Sequence, residues 1–164
     1  MNIIVAVSIV WGIGYKNDLL FRIKEDLQRF KQFTTNKVVV MGRKTFESLP
    51  KSRRPLPNRT NIVLTYNEKW RAEGVTVCNS IPALLNILEA YDPEDIFIIG
   101  GEEIYTKMFS HCKTAYVTKI NHAPPADVFF PNMDKRLEWK LENESPVNVQ
   151  DGLEYKFCTY VRSN

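Results

Sequence analysis

The hydrophobic pattern alternates between short apolar runs and longer amphipathic stretches. Residues 3–8 are apolar without a period, as in a strand buried on both faces. A loop over 9–21, carrying Gly12 and Gly14, follows. Over 25–34, Leu27, Phe30 and Phe33 or Thr34 recur at helical spacing. The β-branched run 37–41 predicts another buried strand, ending at Gly42, with a short helix over 45–49. Pro50, Pro55, Pro57 and Asn58 make 50–59 a surface loop. Strands are expected over 61–65 and 75–78, then a helix over 82–91 with Pro82 in its first turn. A strand over 96–99 runs into Gly100-Gly101, followed by a helix over 102–109. The tail differs: 115–120, 139–144 and 153–161 read as strands without helices between them.

This order predicts an α/β fold: one domain over 1–164, with a mostly parallel central sheet, an antiparallel C-terminal edge and flanking helices. Ligands of such sheets sit beyond the carboxyl ends of the strands. Three loops are expected there: 9–21, 42–45 and 100–103.

Composition narrows the chemistry. With 22 Lys and Arg against 19 Asp and Glu, the formal charge is +3, and no basic stripe of a nucleic-acid binder is present. Cys78, Cys112 and Cys158 are odd in number and form no CxxC pair, which predicts neither a disulfide framework nor a zinc site and fits a reducing cytoplasm. His111 and His122 stand in no metal-ligand spacing, so no metal is expected. The apolar start lacks a positive leader region and is shorter than the roughly 20 residues that span a bilayer. No membrane association is expected.

Two strand-glycine-helix junctions remain, at 38–45 and 97–105. Each offers unpaired helix-start N–H groups to a phosphate, and Arg43, Lys44 and Thr45 add charge and a hydroxyl. Strand termination or helix capping alone would also explain the glycines. Asp26 lies on the apolar stripe of its helix, where a carboxylate is costly without a partner. Arg22 and Lys24 fall on other faces, so the local sequence offers it none. An acid favoured by the helix dipole is the alternative reading. A carboxylate in a pocket would instead have a raised pKa and could hold a protonated heterocycle. Arg59, just before a strand, could grip a carboxylate in two-pronged fashion, whereas Lys51, Arg53 and Arg54 read as solvated loop cations.

Taken in order, several stretches resemble bacterial-type, chromosomal-like dihydrofolate reductases over nearly the whole chain. They are Ile-Ile-Val-Ala at 3–6, Gly-Ile-Gly at 12–14, Glu-Asp-Leu-Gln-Arg-Phe-Lys at 25–31, Met-Gly-Arg-Lys-Thr-Phe-Glu-Ser-Leu at 41–49 and Pro-Leu-Pro-Asn-Arg at 55–59. Ile-Ile-Gly-Gly at 98–101, Tyr105, Val-Thr-Lys-Ile at 117–120 and Asp127 with Phe130-Pro131 complete them. The resemblance implies NADPH-dependent reduction of 7,8-dihydrofolate by hydride transfer to C6 and protonation at N5.

It also implies residue roles. Asp26 matches the carboxylate that bonds the pterin, and Thr118 the hydroxyl supporting it. Leu27, Phe30, Leu49 and Leu56 match the apolar walls, Arg59 the partner of the folate α-carboxylate, and Ile4 and Ile99 the carbonyls at the pterin end. Tyr105 joins the expected substrate contacts, as does Ala6, which with Ile13 also matches a nicotinamide partner. Gly42, Arg43, Lys44 and Thr45 match the first phosphate junction, Thr65 the adenosine end, and Gly100, Gly101, Glu102, Glu103 and Ile104 the second junction, where a cis Gly-Gly peptide is expected. Diaminopyrimidine antifolates are implied ligands, and a monomer the implied state.

Leu20-Phe21 stands where the family has Pro-Trp, and Lys24 where proline is common. Phe21 has no donor to hold a water, and Leu20 does not pin φ, so a more mobile active-site loop is expected. Two alternatives remain: a reductase of the same fold acting on another pyrimidine or pteridine, and a non-catalytic nucleotide- or folate-binding module.

Overall fold

The apolar run near the start becomes an inner strand of a wide sheet. A computed structural model describes residues 1–163. In chain order the strands are β1 (Asn2–Ser8), β2 (Gly12–Tyr15), β3 (Asp18–Leu19), β4 (Val38–Gly42), β5 (Thr60–Leu64), β6 (Val75–Cys78), β7 (Ile96–Gly100), β8 (Thr114–Ile120), β9 (Val128–Phe129), β10 (Trp139–Glu144), β11 (Asn148–Gln150) and β12 (Leu153–Arg162). The helices are α1 (Lys24–Thr34), α2 (Arg43–Ser48), α3 (Ile81–Leu88) and α4 (Glu102–Met108).

Nine strands form the main sheet in the order β6-β5-β4-β7-β1-β8-β12-β10, with β11 paired to β12. Neighbours from β6 to β8 are parallel, and β12 is antiparallel to β8, β10 and β11. The α/β fold with an antiparallel C-terminal edge is therefore as expected. Alternate residues of each strand point to opposite faces. On one face Ile3, Val5 and Val7 of β1 pack with Leu84 of α3 and with Ile104, Tyr105 and Met108 of α4. The other face carries Ile4, Val39, Met41 and Tyr116, with Phe30 and Phe33 of α1 and Phe46 of α2 against them. The result is three layers, with helices on both faces of the sheet.

Several boundaries differ from the sequence expectation. The segment 9–21 is not all loop, because β2 pairs with β3 and β9 in a small second sheet. Gly14 reflects close packing: a Cβ there would lie 2.7 Å from Val128 Cγ2. Strands this short carry too few residues to establish a period, so β3, β9 and β11 leave no readable pattern. Helix α2 starts at Arg43 rather than 45, directly after Gly42. Helix α3 begins where Ser80 accepts the Ala83 N–H at 3.2 Å, and it stops at Leu88 rather than 91.

The cysteines are buried and unpaired. Burial pushes the Cys78 thiol up to about 11 and the Cys112 thiol up to about 12. Among the described residues no cluster of metal-ligating side chains occurs, and no helix is long and apolar enough to cross a membrane.

Candidate active site

The candidate site lies where α1 crosses the sheet. Thr118 and Ala6 are register partners on β8 and β1, and Phe157 of β12 is opposite Thr118. Above them Asp26 projects from the first turn of α1, half-buried, and its Oδ1 accepts the Thr118 hydroxyl at 2.5 Å. Thr118 is 2% exposed, so this hydroxyl has little access to water. Burial pushes the Asp26 carboxyl above its ordinary range, while the Thr118 hydrogen bond and the Arg29 guanidinium pull it back.

The expectation that the local sequence offers Asp26 no partner is thus corrected. Arg29 lies three residues on, on the same helix face, a spacing that would have revealed it. The apolar stripe is also redistributed. Thr34 is its fully buried member, whereas Leu27 is 50% exposed. On this face half-buried Ile4, Phe30, Leu49 and Ile99 pack against the cluster that contains buried Leu56, while Ala6 is half-buried. Asn61 fixes Leu56 at both ends, accepting its N–H at 2.9 Å and donating to its carbonyl at 3.0 Å. Two residues before Ala6 on β1, the Tyr105 hydroxyl donates to the Ile4 carbonyl at 2.8 Å. Burial, then the Asp26 charge, raises the Tyr105 pKa far above that of an ordinary phenol.

Arg59 is held before it meets any ligand. Its Nε donates to the Pro57 carbonyl at 2.9 Å and its Nη1 to Thr34 Oγ1 at 3.2 Å, with the guanidinium 6.0 Å above Phe30. Arg54 is not the solvated cation expected: it donates to the Glu47 carbonyl at 2.6 Å and lies 5.9 Å above the Phe46 ring.

The glycine junctions end adjacent parallel strands, β4 and β7. Gly42 and Gly101 are the N-caps of α2 and α4, and neither helix start has a side-chain cap. A Cβ on Gly101 would sit 3.4 Å from Thr45 Oγ1, and one on Gly42 would sit 3.3 Å from Ile104, so the junctions adjoin. Gly100 has φ +129°, which disfavours any side chain, and the Gly100-Gly101 peptide is cis. The acids beside the second junction are engaged elsewhere: Glu102 accepts the Phe129 N–H at 2.8 Å and Glu103 pairs with Lys107 at 2.7 Å. At the first, Arg43 pairs with Glu47 at 2.5 Å, while Lys44 is exposed. Thr65 is buried, its hydroxyl accepting the Asn67 N–H at 3.2 Å. Ile13 stands half-buried on β2.

The departures before α1 have local consequences. Phe21 lies edge-on to His122 with ring centroids 6.4 Å apart, and it packs with Ile23, Ile120 and Tyr155. Lys24, unlike a proline, has an N–H, and it donates to Gln150 Oε1 at 2.8 Å. Gln150 in turn donates to the Arg22 carbonyl at 3.5 Å. This tie to β11 escaped the sequence reading, because more than a hundred residues separate its partners.

Comparison with known proteins agrees with the geometry. The family model described as dihydrofolate reductase matches residues 1–162. The dihydrofolate reductase of Bacillus subtilis is 38% identical over 154 residues, covering 93% of this chain and 88% of that protein. The Buchnera aphidicola enzyme is 36% identical, covering 96% of each chain. A solved dihydrofolate reductase from Enterococcus faecalis, complexed with NADP(H) and RAB-propyl, superposes with a TM-score of 0.87 at 32% identity, covering 99% of this chain and 96% of that one. The chain belongs to the dihydrofolate reductase family.

Proposed function

We propose that the Asp26 cleft binds the pterin of 7,8-dihydrofolate and that the two glycine junctions bind the phosphates of NADPH. The chain is an NADPH-dependent dihydrofolate reductase, forming 5,6,7,8-tetrahydrofolate. The observation that carries the site assignment is the half-buried Asp26 carboxylate, oriented by Thr118 on the helix whose Phe30 packs into an apolar cluster.

An ionised Asp26 accepts N–H bonds from the pterin 2-amino group and N3, favouring the protonated heterocycle. Ile4, Ala6, Leu27, Phe30, Leu49, Leu56 and Ile99 enclose the pterin and the p-aminobenzoyl ring and exclude water. Tyr105, bonded to Ile4, fixes the middle of β1 at the pterin edge. Arg59, preset by Pro57 and Thr34, pairs with the glutamate α-carboxylate. The residues present fit NADPH: the uncapped starts of α2 and α4, with Gly42, Thr45, Gly100, Gly101 and Ile104, offer N–H groups and room to phosphates. Arg43 and Lys44 favour a 2′-phosphate and Thr65 borders the adenosine, whereas the carboxylates of Glu102 and Glu103 turn to protein partners. Ala6 and Ile13 offer backbone groups to the carboxamide. When bound, NADPH supplies the hydride for C6. Asp26 polarises the pterin, and water brings the proton to N5.

Phe21 has no donor for a water, so the loop before α1 is proposed to be more mobile than in relatives with Pro-Trp. Diaminopyrimidine antifolates are proposed to compete at Asp26, and the protein is proposed to act as a cytoplasmic monomer. The test is NADPH oxidation by purified protein, with and without dihydrofolate. Turnover that depends on dihydrofolate and collapses in Asp26→Asn, with NADPH binding retained, is the expected result. An unimpaired variant would remove the assignment of Asp26. Faster turnover of another pyrimidine or pteridine would favour the same-fold alternative.

A further inference from the structure

Arg29 occupies an unusual place for a surface-helix cation. The α1 spacing puts it one turn after Asp26 on the same face. Beneath it lies the surface built by β8 and β12, where Phe157 is opposite Thr118 and Tyr116 stands two residues before Thr118. The guanidinium rests 4.3 Å above the Phe157 ring, 4.8 Å from that of Phe33 and 6.0 Å from that of Tyr116. Aromatic faces attract a cation without neutralising it. The positive charge is thus fixed in place, partly desolvated, and free to act on a nearby carboxylate.

We infer that Arg29 is an electrostatic positioning residue: its guanidinium, caged by Phe33, Tyr116 and Phe157, keeps Asp26 ionised towards the pterin. The inference rests on the reading of Asp26 as the pterin's partner. Arg29 itself reaches neither substrate nor cofactor; it acts through Asp26. The direction agrees with the balance at this carboxyl, where burial pushes up and Thr118 and Arg29 pull down. Other groups face the same corner. Tyr105 from α4 and Tyr155 from β12 feel the Asp26 charge, and Tyr116 and Cys158 bear on Arg29. Phenols and thiols are ordinarily uncharged at neutral pH, so they leave the local charge unchanged. Glu25, on the same first turn, adds a negative charge that favours the charged form of the Arg29 guanidinium.

The test is a titration of the Asp26 carboxyl by carbon NMR on aspartate-labelled protein, its resonance identified by its loss in Asp26→Asn. It is run on wild type, Arg29→Lys and Arg29→Met, at low and high salt, with the pH profile of hydride transfer recorded alongside. The expected midpoint is highest in Arg29→Met and returns towards wild type in Arg29→Lys. In wild type it moves up with salt, because a partly exposed charge is screened, and it moves less in Arg29→Met. The hydride-transfer profile shifts in the same order. Equal midpoints in wild type and Arg29→Met, or equal rises in both variants, would overturn the inference. The wild-type salt response tests it even where a variant folds poorly: a midpoint insensitive to salt also overturns it. If Asp26→Asn keeps full dihydrofolate turnover, the assigned role of Asp26 fails instead, even with an Arg29-dependent carboxyl titration intact.

Discussion

Replacing Thr118 by valine removes one hydroxyl and nearly preserves side-chain shape, so it isolates the hydrogen bond to Asp26. The threonine is 2% exposed and the bond spans 2.5 Å. A hydrogen bond to a charged group contributes about 1.5–3 kcal/mol, and one between neutral groups about 0.5–1.5 kcal/mol. Asp26 is only half-buried, so water on its open side can replace part of the loss, which favours the lower end of each range. Thr118→Val should therefore cost about 1.5 kcal/mol with the carboxyl ionised and roughly 0.5–1 kcal/mol with it protonated. The sign follows from the bond's preference for the carboxylate. Valine raises the Asp26 pKa further, so the gap to wild type is complete above the variant's pKa and narrows as pH falls through it. Urea unfolding of both proteins across that range, at equal denaturant slopes, measures the gap. A gap that does not change with pH would refute the argument, as would a valine variant more stable than wild type at neutral pH.

Other outcomes follow from the same structure. Asp26 has a folded-state pKa above its unfolded value, so its favourable share of stability is full below the unfolded pKa and is lost as pH rises through the folded one. Asp26→Asn should therefore gain stability relative to wild type as pH rises, while turnover falls; thermal midpoints against pH measure this, and a constant difference counts against it. Gly100→Ala places a Cβ at φ +129°, 3.3 Å from the Tyr105 ring, and should cost about 1–3 kcal/mol while weakening NADPH binding in a fluorescence titration. An alanine variant with wild-type stability would contradict that reading. Gln150→Ala removes the acceptor of the Lys24 N–H, a bond of about 0.5–1.5 kcal/mol, so that amide should exchange faster with deuterated solvent. Unchanged protection would show that the tie does not restrain the loop. The buried thiols, with Cys78 at about 11 and Cys112 at about 12, should react with disulfide reagents only as fast as the protein opens.

The long parallel strands were legible because burial on both faces leaves uninterrupted β-branched runs, as at 37–41. The small sheet of β2, β3 and β9 was not, because its glycines serve close strand packing and its partner lies over a hundred residues away. At the site, Asp26 was conspicuous as a charge among apolar positions. Its partner Thr118 was implied by family resemblance, since nothing in local periodicity joins α1 to β8. Arg29 could have been found from its spacing to Asp26, but its aromatic bed is created by β8 and β12. Gln150 gave no local signal, because it lies more than a hundred residues from the Lys24 N–H that it accepts.

The position of β12 bears on how the molecule comes into being. This last strand lies between β8 and β10, with Phe157 opposite the threonine that orients Asp26, and it holds β11 with Gln150. The chain is made from its other end. A nascent polypeptide can pair β4, β5 and β7 early, yet it lacks one wall of the Asp26 corner until residues 153–162 emerge. Ligand binding at this corner therefore rewards only chains extended through β12, and pterin-site ligands should stabilise such chains against proteolysis while giving little protection to one truncated before β12.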